Sequence, residues 1–366
     1  MIYLRTKTDE FDINDMKIAH EELNDREKLI LRSIVQQFIL TAAPVGSRYI
    51  AKKYEVGFSP ATIRNVMADL EESGFIDHPH TSAGRIPTDK GYRYYVDSLM
   101  EIQNLKEEEK DLITKSLETQ AEEPDDLLKI ASKILSTVTH QIACVSYPTL
   151  DKAVLNKIQL VELSSNRLLV IVAVTSGLIK TITLEMDFEV NSSVLESVES
   201  RLNEKLAGLT FEEIRTTFRE RFADVDTEEK PIIRLFFDSA DKVFTDIKKD
   251  DKILVTGATN IIHQPEFEDP EKFQSVVELI ENKDIIIHIL EKQRSDVKND
   301  IVITIGSENE DEKLKEYSLI TKEYDFGDIK GVLGIIGPKR MEYSKIVSIV
   351  AYISEILSEF LRGTKR

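Results

Sequence analysis

Residues 23–41 repeat apolar positions at helical spacing, with Leu23, Ile30, Ile34 and Phe38 on one face and Asn24 placed as an N-cap. The run Ala42-Ala43-Pro44-Val45-Gly46 breaks that pattern, and Ser47 opens a short second helix that Gly57 closes. A third helix is predicted from Ser59, with Pro60 at the first helical position, where a missing N–H costs nothing. Ile63, Met67 and Leu70 fall at i, i+4 and i+7 along it, and Gly74 ends it. Three helices with a short turn between the second and third predict a helix-turn-helix. Residues 75–77 and 92–96 read as strands pairing around a loop with Pro79, Gly84 and Pro87, which makes the unit winged. Gly84 is expected to supply a positive φ at the loop's tip.

Residues 99–140 read as two charged, then amphipathic, helices divided at Pro124. From residue 141 the pattern becomes strands, with a hairpin around Ser164-Ser165-Asn166. Helical periodicity returns over 192–206, 211–222 and 232–247, followed by a short strand at 252–256 and a helix at 273–281. Strands resume at IVITIGS, YSLITKEY and KGVLGIIG, and a last helix over 342–361 carries Ile346, Val350, Ile353, Leu357 and Leu361 on one stripe. Strands interrupted by a helical block predict an α/β domain that hosts an insertion. The fold class is α+β and multidomain.

A chain of 366 residues has room for two or three domains. No apolar run reaches the 18–20 or so residues that a membrane span needs, and residues 1–15 lack the apolar centre of a signal peptide. The single cysteine, Cys144, excludes an internal disulfide framework and suits a reducing, cytoplasmic setting. Net charge is −18, which taken alone argues against nucleic acid. Its distribution reverses that argument: residues 23–96 carry ten Lys/Arg against eight Asp/Glu, so the acid lies outside the helix-turn-helix.

With Ile63, Met67 and Leu70 facing inward, Pro60, Ala61, Arg64, Asn65 and Ala68 face outward. Arg64 offers a fork suited to guanine O6/N7, and Asn65 can pair with adenine. Ser59 and Thr62 lie at the positive end of the helix, where hydroxyl and amide donors hold a phosphate. Ala61 permits close approach, and Ser47 and Arg48 at the start of the second helix join the set. The wing adds His80, Thr81, Ser82, Arg85, Thr88 and Lys90, with Arg85 set to enter a minor groove or clamp phosphate. Tyr92, Tyr94 and Tyr95 are expected to pack the wing onto the helices. His78 and His80 invite a metal, but no third ligand or cysteine accompanies them, so no metal is expected. Gly331, Gly334 and Gly337 lie inside a strand-like run, not in the turn that a dinucleotide needs, and no cofactor is expected. No carboxylate is tied to a His or Ser by a catalytic pattern, which argues against an enzyme.

The run VGSRYIAKKYEVGFSPATIRNVMADLEESGFIDHPHTSAGRIPTDKGYRYYVD resembles the DNA-binding domain of the heat-inducible transcription repressors, the HrcA family. IGSEN, GVLGIIGPKRMEYSKIVSIV and SEILSEFL resemble the end of the same family, so the likeness extends over the chain after about residue 22. It implies three parts, a winged helix, a GAF-like domain and an inserted dimerisation domain, expected at 23–98, at 127–189 and 265–366, and at 190–264, with residues 99–126 read from their own pattern as a helical linker. It also implies a homodimer that represses chaperone operons from an inverted-repeat (CIRCE) operator in double-stranded DNA, with the chaperonin GroEL as a partner. Val66 departs from the acidic residue usual at its position, and residues 1–22 extend beyond the family's usual start with no role to assign. The competing expectation is a winged-helix regulator whose GAF-like domain senses a ligand and gates DNA binding.

Overall fold

A computed structural model describes residues 2–4, 22–54, 56–79, 84–120, 124–188, 191–224, 227, 229–245, 253–262, 264–292, 301–327 and 329–363. Its N-terminal unit is three helices, α1 (Asp25–Thr41), α2 (Ser47–Lys53) and α3 (Pro60–Glu72). They are followed by an antiparallel pair, β2 (Ile76–Asp77) and β3 (Ile86–Pro87), β1 being the edge strand Ile2–Leu4 described below. Local chemistry sets each boundary. Asn24 caps α1 in a capping box with Glu27, whose carboxylate reaches back to the Asn24 N–H at 2.8 Å. Gly74, at φ +74°, turns the chain out of α3 and leaves the Phe75 N–H on the Leu70 carbonyl at 2.9 Å. Ile30, Ile34, Ile50, Ile63, Met67 and Leu70 close the core of this unit.

Two expectations change here. Residues 92–96 are not the second strand of the hairpin; that strand is β3. The chain instead forms α4 (Asp89–Tyr94), capped by Thr88, which runs into a π-helical turn, Tyr95–Leu99. Residues 91–96 are all buried, so the run carries no alternation to hold it extended. Gly84 is also not in a positive-φ conformation. Its missing side chain matters for proximity: a Cβ there would sit 2.6 Å from the Pro44 carbonyl carbon.

The body is a six-stranded antiparallel sheet in the order β1-β9-β10-β11-β4-β8. Its strands are β1 (Ile2–Leu4), β4 (Ile142–Ser146), β8 (Ile253–Thr256), β9 (Ile301–Ile305), β10 (Tyr317–Phe326) and β11 (Ile329–Pro338). On one face α6 (Pro124–Thr139) and α14 (Tyr343–Gly363) cover Ala143, Val145, Ile320 and Leu333. On the other, α11 (Ala258–Ile262), α12 (Pro270–Glu281) and α13 (Lys283–Lys292) cover Ile142, Cys144, Leu319 and Ile336. Because both faces are packed, β4 and β9 read as continuous apolar runs. α5 (Glu107–Gln120) packs Ile113 and Leu117 against α6 and α14, so the linker is part of the body.

The insertion is larger at its start and shorter at its end than 190–264. The strands β5 (Leu155–Ser164), β6 (Arg167–Val174) and β7 (Ile179–Glu185) form their own antiparallel sheet. They stand with α7 (Ser192–Leu206), α8 (Phe211–Arg221), α9 (Lys230–Asp238) and α10 (Ala240–Val243). The chain leaves the six-stranded sheet after β4 and returns at β8, which pairs with β4, so the insertion lies between them. Apolar alternation marks a strand but not the sheet it joins, which is why the sequence assigned β5–β7 to the body.

Candidate nucleic-acid interface

α3 divides into two faces. Ile63, Val66, Met67 and Leu70 are buried, whereas Ala61, Arg64, Asn65 and Ala68 are exposed. Val66 is a core residue here, in keeping with its branched apolar side chain. Ser59 caps the helix by accepting from the Thr62 N–H at 3.1 Å, and the two hydroxyls lie 3.0 Å apart. Arg64 and Asn65 make no intramolecular hydrogen bond or ion pair among the described residues, and Arg48 opens onto solvent at the start of α2. Ser59, Ala61, Thr62, Arg64 and Asn65 therefore share one end of α3, with Arg48 exposed on the neighbouring helix of the turn.

Other expected contacts are used internally. Ser47 is buried. Thr88 caps α4 by accepting from the Gly91 N–H at 3.1 Å and donates to the Gly74 carbonyl at 2.7 Å. Lys90 donates to the Ser73 carbonyl at 2.8 Å, its ammonium 4.3 Å from the centre of the Phe75 ring. Both side chains thus fasten the C-terminal end of α3. The Arg85 guanidinium is held by Glu71, with Nε and Nη2 donating to Oε2 at 2.8 and 2.7 Å. His80, Thr81 and Ser82 lie outside the described residues.

His78 is exposed and contacts Glu71 through Nδ1, and Glu71, Asp77 and His78 bring ligand atoms within 4.8 Å of one another. The sequence had offered His78 no such neighbours, because Glu71 lies on the preceding helix. With Arg85 on the same carboxylate, the group is organised as an ion-pair node.

A second feature went unread in the sequence: the seam between this unit and the body. Arg93, only 8% exposed, donates through Nη2 to the Ile303 carbonyl at 2.8 Å and through Nε to Glu308 at 2.7 Å, and pairs with Asp97 at 3.1 Å. Burial lowers its proton affinity, but Glu308 and Asp97 outweigh that and hold the guanidinium charged. Asp89 accepts from the Ser307 N–H at 2.9 Å and pairs with Lys339 at 3.0 Å. Burial pushes its carboxyl up, yet the Ser307 N–H and the Lys339 ammonium prevail and hold it below the usual carboxylate range. Arg340 pairs with Glu266 and donates to the Ile39 carbonyl at 2.7 Å. Tyr92 packs near Tyr343, its hydroxyl buried without a partner among the described residues. The signal available in the sequence was IGSEN: Ser307 and Glu308 dock α4, and Asn309 braces the turn by donating to the Gly306, Leu314 and Tyr317 carbonyls, each at 3.0 Å. Cys144, buried in β4, has its thiol pushed up to about 12 by burial, so it is inert at neutral pH.

The family model described as the HrcA protein C terminal domain matches residues 125–347. The chain belongs to the HrcA family. The heat-inducible transcription repressor HrcA of Chlorobium phaeobacteroides (strain BS1) is 39% identical over 348 residues, covering 93% of this chain and 99% of that protein. The repressor of the same name from Prosthecochloris aestuarii is 41% identical over 345 residues, covering 92% and 97%. Among solved structures, a hypothetical protein determined at 2.2 Å is similar with a TM-score of 0.59 and 24% identity, covering 94% of this chain and all of that one. That last likeness concerns the fold alone. The chain is thus a member of a family of heat-inducible transcription repressors, and no described helix is long and apolar enough to cross a membrane.

Proposed function

We propose that residues 23–98 form a winged helix that reads an inverted-repeat operator, the CIRCE element, as one half of a homodimer. The observation that carries this reading is the outer face of α3: Arg64 and Asn65 stand exposed, and unengaged among the described residues, beside the capped, hydroxyl-bearing N-terminus. A guanidinium and a carboxamide one residue apart suit guanine and adenine edges in a major groove, and the N-terminal donors suit the phosphate beside it. The segment between β2 and β3 acts as the wing, and the repressed genes are heat-shock chaperone operons.

The homodimer follows from the reach of one reading helix, which contacts too few base pairs to select one site in a genome. The last helix does not supply the contact surface, because Ile346, Val350, Ile353, Leu357 and Leu361 are all buried in the body. The outer face of β5–β7 is better suited. Val161, Leu169, Ile171, Ala173 and Ile179 share it by register, and Ile179 and Leu163 are 64% and 54% exposed. The body acts as a GAF-like scaffold whose two sheet faces are filled by its own helices, which favours a structural role over a ligand-gated one. The chaperonin GroEL remains the partner that family resemblance implies.

The test is a gel-shift titration of the full chain on an inverted-repeat operator and on a scrambled duplex of equal composition. Preference for the operator with two chains per duplex is expected. Equal affinity for both duplexes would reject the operator-reading role.

A further inference from the structure

Both ends of the segment between β2 and β3 converge on one carboxylate. Glu71 lies in the last turn of α3, and its Oε2 accepts from Arg85 Nε at 2.8 Å and Nη2 at 2.7 Å. Its other oxygen, Oε1, contacts Nδ1 of His78. His78 follows β2 directly and Arg85 precedes β3 directly, so the carboxylate grips the chain where it leaves the hairpin and where it returns. Arg85 is also fixed through its backbone, which exchanges two hydrogen bonds with Val45, at 2.8 and 2.9 Å, just ahead of α2. The Glu71 and Arg85 side chains are 24% and 26% exposed, enough burial for the pair to resist screening better than a surface pair. The last turn of a helix is an unfavourable place for an acid, because the carbonyl ends of the backbone dipoles point there. Glu71 is held there by its two cationic or hydrogen-bonding neighbours, not by the helix.

We propose that Glu71 is a positioning residue that holds both roots of the wing, His78 and Arg85, against the end of α3, so that base reading by α3 and backbone contact by the wing act on DNA together. The inference rests on the winged-helix reading above. Two contacts on one rigid body make the second an intramolecular event at high effective concentration, and loosening the joint between them lowers that concentration. Base preference in the major groove depends on α3 alone and stays. The opposite arrangement, in which Glu71 competes with phosphate for Arg85, makes the contrary prediction: neutralising Glu71 would then tighten binding.

The full chain carrying Glu71→Gln separates these cases. Operator affinity is expected to fall about tenfold, with weaker hydroxyl-radical protection in the flanks contacted by the wing. Protection of guanine N7 in the major groove is expected to keep its pattern. Unchanged or tighter binding would overturn the proposal, as would an equal loss of flank and guanine protection at unchanged melting temperature. Where Glu71→Gln lowers the melting temperature, Glu71→Asp keeps the charge while shortening its reach by one methylene, and the same split between flank and groove is expected. Should the wild-type chain not select the operator, the brace is judged without DNA. Amide exchange at Arg85 and Ile86 is then expected to accelerate in Glu71→Gln, and unchanged exchange rejects it.

Discussion

Arg93 and Ile303, 210 residues apart in sequence, meet through a 2.8 Å hydrogen bond from the guanidinium to the backbone carbonyl of β9. The contact joins α4 of the N-terminal unit to the edge region of the body sheet, and the Glu308 and Asp97 carboxylates pair with the same guanidinium. A buried ion with fully assigned partners is stable only while the partners remain. Removing one leaves the others without compensation.

Arg93→Met is therefore expected to destabilise the chain by about 3 kcal/mol, read as a lower urea midpoint. The double variant Arg93→Met/Glu308→Gln should cost less than the sum of the two single changes, because the second removes the orphaned charge left by the first. Strict additivity in that cycle would mean that the two side chains do not share an interaction.

Asp89 makes the seam sensitive to acid. Its carboxyl is held below the usual range by the Ser307 N–H and Lys339, so the contribution to stability is complete above the unfolded value of about 3.9 and is lost as pH falls through the lower folded value. The stability gap between wild type and Asp89→Asn should be widest near neutrality and should narrow below about pH 4. Urea melts at pH 7 and pH 3.5 measure it. A gap that stays constant or widens in acid would show that Asp89 is not the titrating group at the seam.

The parts of the fold legible in the sequence are those with local causes. Asn24, Ser59-Pro60 and Gly74 mark helix ends through hydrogen bonds made within a few residues, and the structure places α1 and α3 accordingly. The outward set on α3 follows from its inward stripe for the same reason. What failed depends on distant partners. Tyr92 to Val96 are rich in residues that favour strands but are uniformly buried, because the body covers the side that a free hairpin would expose. α13 carries three successive β-branched residues, Ile285-Ile286-Ile287, a composition that suits a strand as well as a helix, so its helical face is hard to see in the sequence. The internal partners of Arg85 and Lys90, Glu71 and the Ser73 carbonyl, were equally illegible because they belong to a preceding helix. The seam residues Asp89, Arg93 and Glu308 have no pattern of their own until the two units meet.

The outer face of the β5–β7 sheet gives the dimer a specific test. Ile171 and Ile179 lie on that face, and Ile171 sits centrally, opposite Gln159 on β5 and Thr181 on β7. A charge placed there faces solvent in a monomer and costs little, but in a dimer it is buried without a partner. Ile171→Glu is expected to shift sedimentation from two chains to one while the melting temperature of the monomer stays near that of the wild type. A dimer that persists would move the contact to another surface.

On the reading helix, Arg64 and Asn65 separate affinity from specificity. Neither is engaged among the described residues, so their replacement leaves no orphaned partner there and should not alter folding. Arg64→Ala is expected to weaken operator binding by about 1–3 kcal/mol and to relax preference at a single base pair. Arg64→Lys keeps the charge but loses the planar fork, so it should retain salt-dependent affinity and lose most of the discrimination. Competition with operators changed one base pair at a time measures both effects. If Arg64→Ala loses equal affinity on operator and random DNA, Arg64 is a phosphate contact, and the base-reading role passes to Asn65 alone.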